Sequence, residues 1–131
     1  MRANKIRLCN EASEKLKHLK GRTGLTPNIL SRLGFCLSLA DPGIPSPEKY
    51  PEEDREFNRY TLLGEWDDLF VALLRQRLAQ DQLQEDQLEE HFRAHLNRGI
   101  LALYSAKSIS DIARLCEKAI ASPSNNHPPL A

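Results

Sequence analysis

The sequence predicts a mainly α fold, a compact helical domain entered by a short strand and two helices. Three observations predict it. Apolar residues recur at threes and fours through most of the chain. Only one segment, Lys5 to Cys9, alternates in the manner of a strand. Caps, prolines and glycines punctuate the helical stretches.

In Lys5-Ile6-Arg7-Leu8-Cys9, Ile6 and Leu8 point one way and Lys5, Arg7 and Cys9 the other. Asn10 reads as the N-cap of a helix beginning at Glu11. Ala12, Leu16 and Leu19 give that helix one apolar stripe. Lys15, Lys17 and Lys20 cluster near its end, which suits the negative pole of the dipole. Gly21 reads as its stop, with Arg22 and Gly24 in the turn. Thr26 and Pro27 open a second helix as N-cap and first helical residue. Its expected buried face is Ile29, Leu30, Leu33, Cys36, Leu37 and Ala40. Gly34 sits inside that helix and marks a place where another backbone comes close. Asp41-Pro42-Gly43 ends it.

One short strand followed by two helices is the ribbon-helix-helix pattern. A lone strand leaves its backbone groups unpaired. No second strand is evident in the chain, so residues 5–9 either pair with a second subunit or are merely extended. In the paired case Lys5 and Arg7 face the major groove of DNA, and the Thr26-Pro27-Asn28 helix start offers N–H groups to a phosphate.

Residues 41–55 hold four prolines and read as an exposed, mobile connection. Glu56 to Glu65 reads as a helix start with Phe57 and Tyr60 packed. Trp66, Leu69, Phe70, Leu73 and Leu74 have helix-core spacing, and Leu88, Phe92, Leu96, Ile100 and Leu103 form another stripe. Ser108 to Asp111 resembles a capping box opening a last helix with Ile109, Ile112, Cys116 and Ala119 inward. The expected organisation is one domain, 1–120, and a disordered tail, 121–131.

At 131 residues, 40% hydrophobic and 27% charged, the chain reads as soluble and globular, with no bilayer-spanning run. No export-type apolar run follows Met1, which points to the cytoplasm. Eighteen basic and eighteen acidic side chains cancel overall, yet residues 1–40 hold eight basic against two acidic ones. Such asymmetry points to a polyanion-binding surface. Cys9, Cys36 and Cys116 are far apart with no Cys-x-x-Cys, so zinc ribbons, iron–sulfur motifs and disulfide scaffolds are poor readings. His91 and His95 share a helix face but lack a third ligand of recognisable spacing, and no metal or other cofactor is expected. No phosphate loop, nucleophile elbow or nuclease cluster stands out; Tyr60 and Tyr104 are unmarked as nucleophiles.

Two blocks carry a resemblance. Leu16-Lys17-His18-Leu19-Lys20-Gly21-Arg22-Thr23-Gly24-Leu25-Thr26-Pro27-Asn28-Ile29-Leu30-Ser31-Arg32, continued by Leu33-Gly34-Phe35, and Glu56-Phe57-Asn58-Arg59-Tyr60-Thr61-Leu62-Leu63-Gly64-Glu65 resemble DndE, the small protein of bacterial DNA phosphorothioation. The likeness spans roughly residues 5–118; the proline-rich loop and the tail are unmatched. The resemblance implies a compact helical fold related to ribbon-helix-helix (Met repressor-like) proteins. It implies binding of double-stranded or nicked DNA through basic residues, work beside sulfurtransferase-type and ATPase subunits, and a homo-oligomer. The basic set maps onto Lys5, Arg7, Lys15, Lys17, Lys20, Arg22 and Arg32. Nicking is attributed to some members, but the nuclease signature is missing here. The expected role is therefore a DNA-binding accessory subunit. Alternatives are a nicking phosphodiesterase acting through residues such as Arg59 or Tyr60, and an interaction subunit whose acidic helices within 65–118 dock a partner.

Overall fold

A computed structural model describes Met1 and residues 4–121. The elements are β1 (Lys5–Arg7), α1 (Asn10–Thr23), α2 (Pro27–Ala40), β2 (Glu56–Asn58), α3 (Arg59–Leu63), α4 (Asp67–Gln80), α5 (Leu88–Leu103) and α6 (Ile109–Ala121). Arg2, Ala3 and residues 122–131 of the tail expected at 121–131 lie outside the described residues; Ala121 is the last residue of α6.

The strand finds its partner inside the chain, not in a second subunit. β1 pairs antiparallel with β2 in the register Lys5↔Asn58, Ile6↔Phe57 and Arg7↔Glu56. Ile6 and Phe57 bury together while their neighbours face outward. β2 was illegible because it offers a single apolar residue, and because Asn58 doubles as the cap of α3. The Asn58 side-chain oxygen accepts from the N–H groups of Tyr60 and Thr61 at 3.0 and 3.2 Å. The expected alternation also stops at Arg7, so Cys9 turns inward with Leu8.

Three helix boundaries differ from expectation. The residue before α1 is Cys9, whose side chain does not cap; the Asn10 N–H is met by Glu53 Oε1 at 3.2 Å instead. α1 runs through Gly21 and ends at Gly24, whose φ of 76° is the left-handed value a side chain resists. Thr26 does cap α2, accepting from the Ile29 N–H at 3.3 Å. Glu56–Glu65 divides into a strand and a short helix, and Tyr60 is exposed rather than packed.

The core is built around the crossing of α2 and α5. There Gly34 meets Gly99: a Cβ on Gly34 would stand 2.7 Å from the Gly99 carbonyl carbon, and one on Gly99 1.8 Å from the Gly34 oxygen. The two backbones therefore touch directly, as the interior glycine of α2 suggested. The crossing rotates α2 so that Leu30, Ser31, Gly34, Phe35 and Ser38 are buried, while Ile29 and Cys36 face outward and Leu33, Leu37 and Ala40 lie at the margin. Phe35 packs against Phe92 and Phe70, with ring centroids 4.9 and 5.6 Å apart. The α5 stripe of Leu88, Phe92, Leu96, Ile100 and Leu103 is buried throughout. In α4, Phe70 and Leu74 are buried, but Leu69 and, just before the helix, Trp66 remain half exposed. In α6, Ile112 is buried and Ile109 exposed.

The proline-rich segment is tied down by arginines. Arg77 and Arg98 donate to the Gly43 carbonyl at 2.7 Å each, and Arg93 donates to the Tyr50 carbonyl at 2.9 Å. Pro45 and Pro47 are buried. The same two arginines serve the end of α2: Arg77 reaches the Leu39 carbonyl and Arg98 the Ser38 carbonyl, each at 2.8 Å. Cations placed on terminal carbonyls satisfy orphan acceptors and oppose the negative dipole end. Asp81 balances Arg77 at 2.9 Å in a pair that is almost fully buried.

Candidate functional site

The structure divides the seven basic residues expected to form one surface. Lys5 and Arg7 lie on the outward face of β1, and Lys5 stands 3.8 Å from Glu56. Both line a cleft of about 250 Å³ that they share with Glu52, Asp86, Glu89 and Glu90. Carboxylates thus offset their charge locally. Arg32 is half-buried and donates from Nε to the Leu62 carbonyl, tying α2 to the end of α3.

The other four belong to α1. At 100° per residue, Lys15 and Arg22 stand about 20° apart on one edge of its exposed face, and Lys17 and Lys20 about 60° apart on the other. Glu14 and His18 lie between the two edges. The Lys15–Arg22 edge is organised by Tyr104, the residue that ends α5. Lys15 Nζ sits 4.1 Å from the centroid of its ring and the Arg22 guanidinium 4.6 Å. Arg22 also donates to the Tyr104 carbonyl at 2.9 Å and to its hydroxyl at 3.2 Å. The ring face attracts both cations, and the two hydrogen bonds fix the guanidinium plane. Among the described residues, none of Lys15, Lys17, Lys20 and Arg22 makes an ion pair, whereas Arg59, Arg75, Arg77, Arg93, Arg98 and Arg114 all do.

Arg59 and Tyr60, raised as candidate chemistry, have structural duties. Arg59 is buried and grips Asp67 with two nitrogens at 2.8 and 3.1 Å, and it donates to the Met1 carbonyl at 2.8 Å. Nη2, one of the two nitrogens on Asp67, also donates to the Tyr60 hydroxyl at 3.0 Å. His91 and His95 are buried, and Nδ1 of His95 bonds the Ser38 hydroxyl at 2.8 Å. Burial, reinforced by Arg98, Arg77 and His91, pushes His95 down to about 3. Among the described residues, no group of three or more His, Cys, Asp or Glu side chains is placed to hold a metal. The three cysteines are free thiols.

Two features escaped the sequence reading. One is an open groove of about 330 Å³ lined by Lys107, Arg114 and Lys118 together with Asp111, Ala106 and Leu115. Its positive residues were hidden by a segment of mixed sign, although Arg114 and Lys118 are four apart and share a helix face. The other is an open apolar groove of about 370 Å³ formed by Leu33, Cys36, Trp66, Leu69 and Phe70, with Arg32 at its rim. Its only signal was an α4 stripe too wide for one buried face. Among the described residues, no helix is long and apolar enough to cross a membrane.

Comparison with known proteins supplies the family. The profile of DndE, the DNA sulphur modification protein, matches residues 5–111. No curated protein matches. Among solved structures, the chain is similar to DndE from Escherichia coli B7A, described as involved in DNA phosphorothioation modification. Identity is 35% and the TM-score 0.63, with 79% of this chain and 99% of that one covered. It is also similar, at 30% identity and a TM-score of 0.63, to a glycine-to-lysine double mutant of DndE, again covering 79% of this chain and 99% of the other. With a match over most of its length, and with the strand-led helical architecture in agreement, the chain belongs to the DndE family of DNA sulphur modification proteins.

Proposed function

We propose that the chain is a DNA-binding accessory subunit of the phosphorothioation machinery, holding the backbone of duplex or nicked DNA for the modifying subunits. The observation that carries this reading is the set of four α1 cations, Lys15, Lys17, Lys20 and Arg22, that make no ion pair among the described residues and outnumber the two acids of that helix, Glu11 and Glu14. Phosphates supply the missing counter-charge, and each contact releases condensed cations from DNA. Backbone contacts of this type position a protein without reading sequence, so base preference is weak. Lys5, Arg7 and Arg32 contribute less: Lys5 pairs with Glu56, Arg7 shares its cleft with four carboxylates, and Arg32 already donates to the Leu62 carbonyl. The partners are sulfurtransferase-type and ATPase subunits, and the chain works in the cytoplasm.

The test is binding of labelled duplex and nicked duplex across a salt series. Four phosphate contacts contribute a log–log slope of about −3.6, or about a 150-fold loss of affinity between 50 and 200 mM salt. Lys17→Glu with Lys20→Glu lowers affinity and flattens the slope. Affinity indifferent to salt and to these charges overturns the reading.

A second reading, docking of a partner subunit, rests on the apolar groove: Trp66 and Leu69 are each 50% exposed beside it. Large apolar side chains left in water mark interaction surfaces. Trp66→Ala with Leu69→Ser weakens co-purification with the sulfurtransferase-type or ATPase subunit if this groove is the contact.

A further inference from the structure

The chain has three tyrosines, Tyr50, Tyr60 and Tyr104, and their surroundings differ. Burial pushes the Tyr50 phenol up from its ordinary value. The Tyr60 hydroxyl takes a hydrogen bond from Arg59, whose charge is already committed to Asp67 at 2.8 Å. Tyr104 instead stands against two cations that make no ion pair among the described residues, the Lys15 ammonium 4.1 Å from its ring centroid and the Arg22 guanidinium at 4.6 Å. The ring of His18 lies 6.2 Å away.

Arg22 holds Tyr104 at two points. One guanidinium nitrogen donates to the Tyr104 carbonyl at 2.9 Å and another to its hydroxyl oxygen at 3.2 Å. The phenol oxygen is the acceptor in that bond, and among the described residues nothing accepts its own proton. Lys15 and Tyr104 are half-buried while Arg22 and His18 are exposed, so the cluster opens to solvent. An oriented hydroxyl beside a fixed guanidinium and an ammonium is the set that attack on a phosphodiester requires. The oxygen forms the new bond, and the cations meet the negative charge that builds on the phosphoryl oxygens.

We infer that Tyr104 is a nucleophile toward DNA phosphodiesters, with Lys15 and Arg22 stabilising the transition state, so that the chain opens and reseals a strand through a phosphotyrosyl link. The bond from Tyr104 Oη to phosphorus forms as the bond from phosphorus to one neighbouring sugar oxygen breaks. The phenol proton passes to water, and the departing sugar oxygen takes a proton from water; nothing is oxidised or reduced. The phosphotyrosyl product is itself a diester, so the freed sugar hydroxyl attacks it in reverse, restores the strand and returns the phenol. The inference rests on the DNA-binding reading and adds a covalent step at one named atom.

The experiment incubates the full chain, in EDTA, with labelled duplexes that carry a bridging phosphorothiolate in place of the 5′ or of the 3′ sugar oxygen. A thiol leaving group reseals poorly, so the transient ester accumulates. Each protein is used at a concentration that saturates the DNA, which keeps differences in affinity out of the yield, and circular dichroism and melting show that each is folded. The wild type is expected to give an adduct that survives denaturing electrophoresis, with mass spectrometry after nuclease digestion placing the nucleotide on Tyr104. Tyr104→Phe keeps the ring beneath the two cations and gives no adduct, whereas Tyr60→Phe gives the wild-type yield. Lys15→Gln slows adduct formation by about 10²–10³-fold. A wild-type chain that saturates the DNA but forms no adduct on either duplex overturns the inference and leaves the DNA-binding reading intact. An adduct that persists in Tyr104→Phe, or maps to another residue, also overturns it. A wild-type chain that binds no DNA removes both readings together.

Discussion

Replacing Gly99 by alanine adds one methyl group where two backbones already touch. The new Cβ would stand 1.8 Å from the Gly34 oxygen and 2.1 Å from its carbonyl carbon, whereas ordinary contact begins at 3.4 Å. Helices α2 and α5 must therefore part locally by up to about 1.6 Å. A radial gap of about 0.5–1 Å already forfeits a quarter to a half of the dispersion well at each contact. The side chains that lose it are core residues of this crossing, including Phe35, Phe92, Leu96 and Ile100. Overpacking typically destabilises by about 1–3 kcal/mol, and a displacement of this size belongs at or above the upper end. We expect about 3 kcal/mol, read as a fall of about 1–3 M in the urea midpoint. Gly21→Ala is the matched control. Gly21 lies within α1 and a Cβ there meets nothing within 4 Å. It should stabilise by about 0.5–1 kcal/mol through the entropy of the unfolded chain. A Gly99→Ala midpoint level with the wild type, or a Gly21→Ala variant that is the more damaged of the two, would refute the account of the crossing.

The remaining predictions concern charges and one ring. In the folded chain His95 titrates at about 3, and in the unfolded chain near the ordinary 6.5. Between those values the unfolded state binds the extra proton, so stability is complete above about pH 6.5 and falls as the medium becomes more acidic. For this ring alone the loss from pH 7 to pH 5 is about 2 kcal/mol, and His91 shifts the same way through burial. Urea midpoints at the two pH values check it, and His95→Gln flattens the profile. Arg59→Ala strands the Asp67 carboxylate in a largely buried setting and should lower stability by about 3–5 kcal/mol, seen in thermal melts. Arg59→Lys recovers only part, because one ammonium cannot reproduce the two-point grip. Tyr104→Leu retains apolar bulk but removes the ring face and hydroxyl that hold Lys15 and Arg22. DNA affinity should fall by about 0.5–1 kcal/mol with the melting temperature nearly unchanged; affinity equal to the wild type counts against the Tyr104 edge.

Local signals in the sequence reached as far as local causes reach. The α5 stripe, the Thr26 cap, the Ser108–Asp111 helix start and the backbone approach at Gly34 all follow from spacing and side-chain type within a few residues. The cations of α1 were equally visible, since charge is written in composition. Tertiary structure decided which of those charges remain uncompensated. Lys5 and Arg7 meet carboxylates from the 50s loop and from the start of α5, and Arg32 is taken up by α3. Lys15 and Arg22 are instead collected on a tyrosine 82 positions from Arg22. The partner of β1, the turn of α2 that hides Phe35, and the meeting of Gly34 with Gly99 are likewise pairings between distant segments. Periodicity specifies that a face is apolar or charged; which surface it meets is set by the packing of the whole chain, and that appears only when the chain is closed on itself.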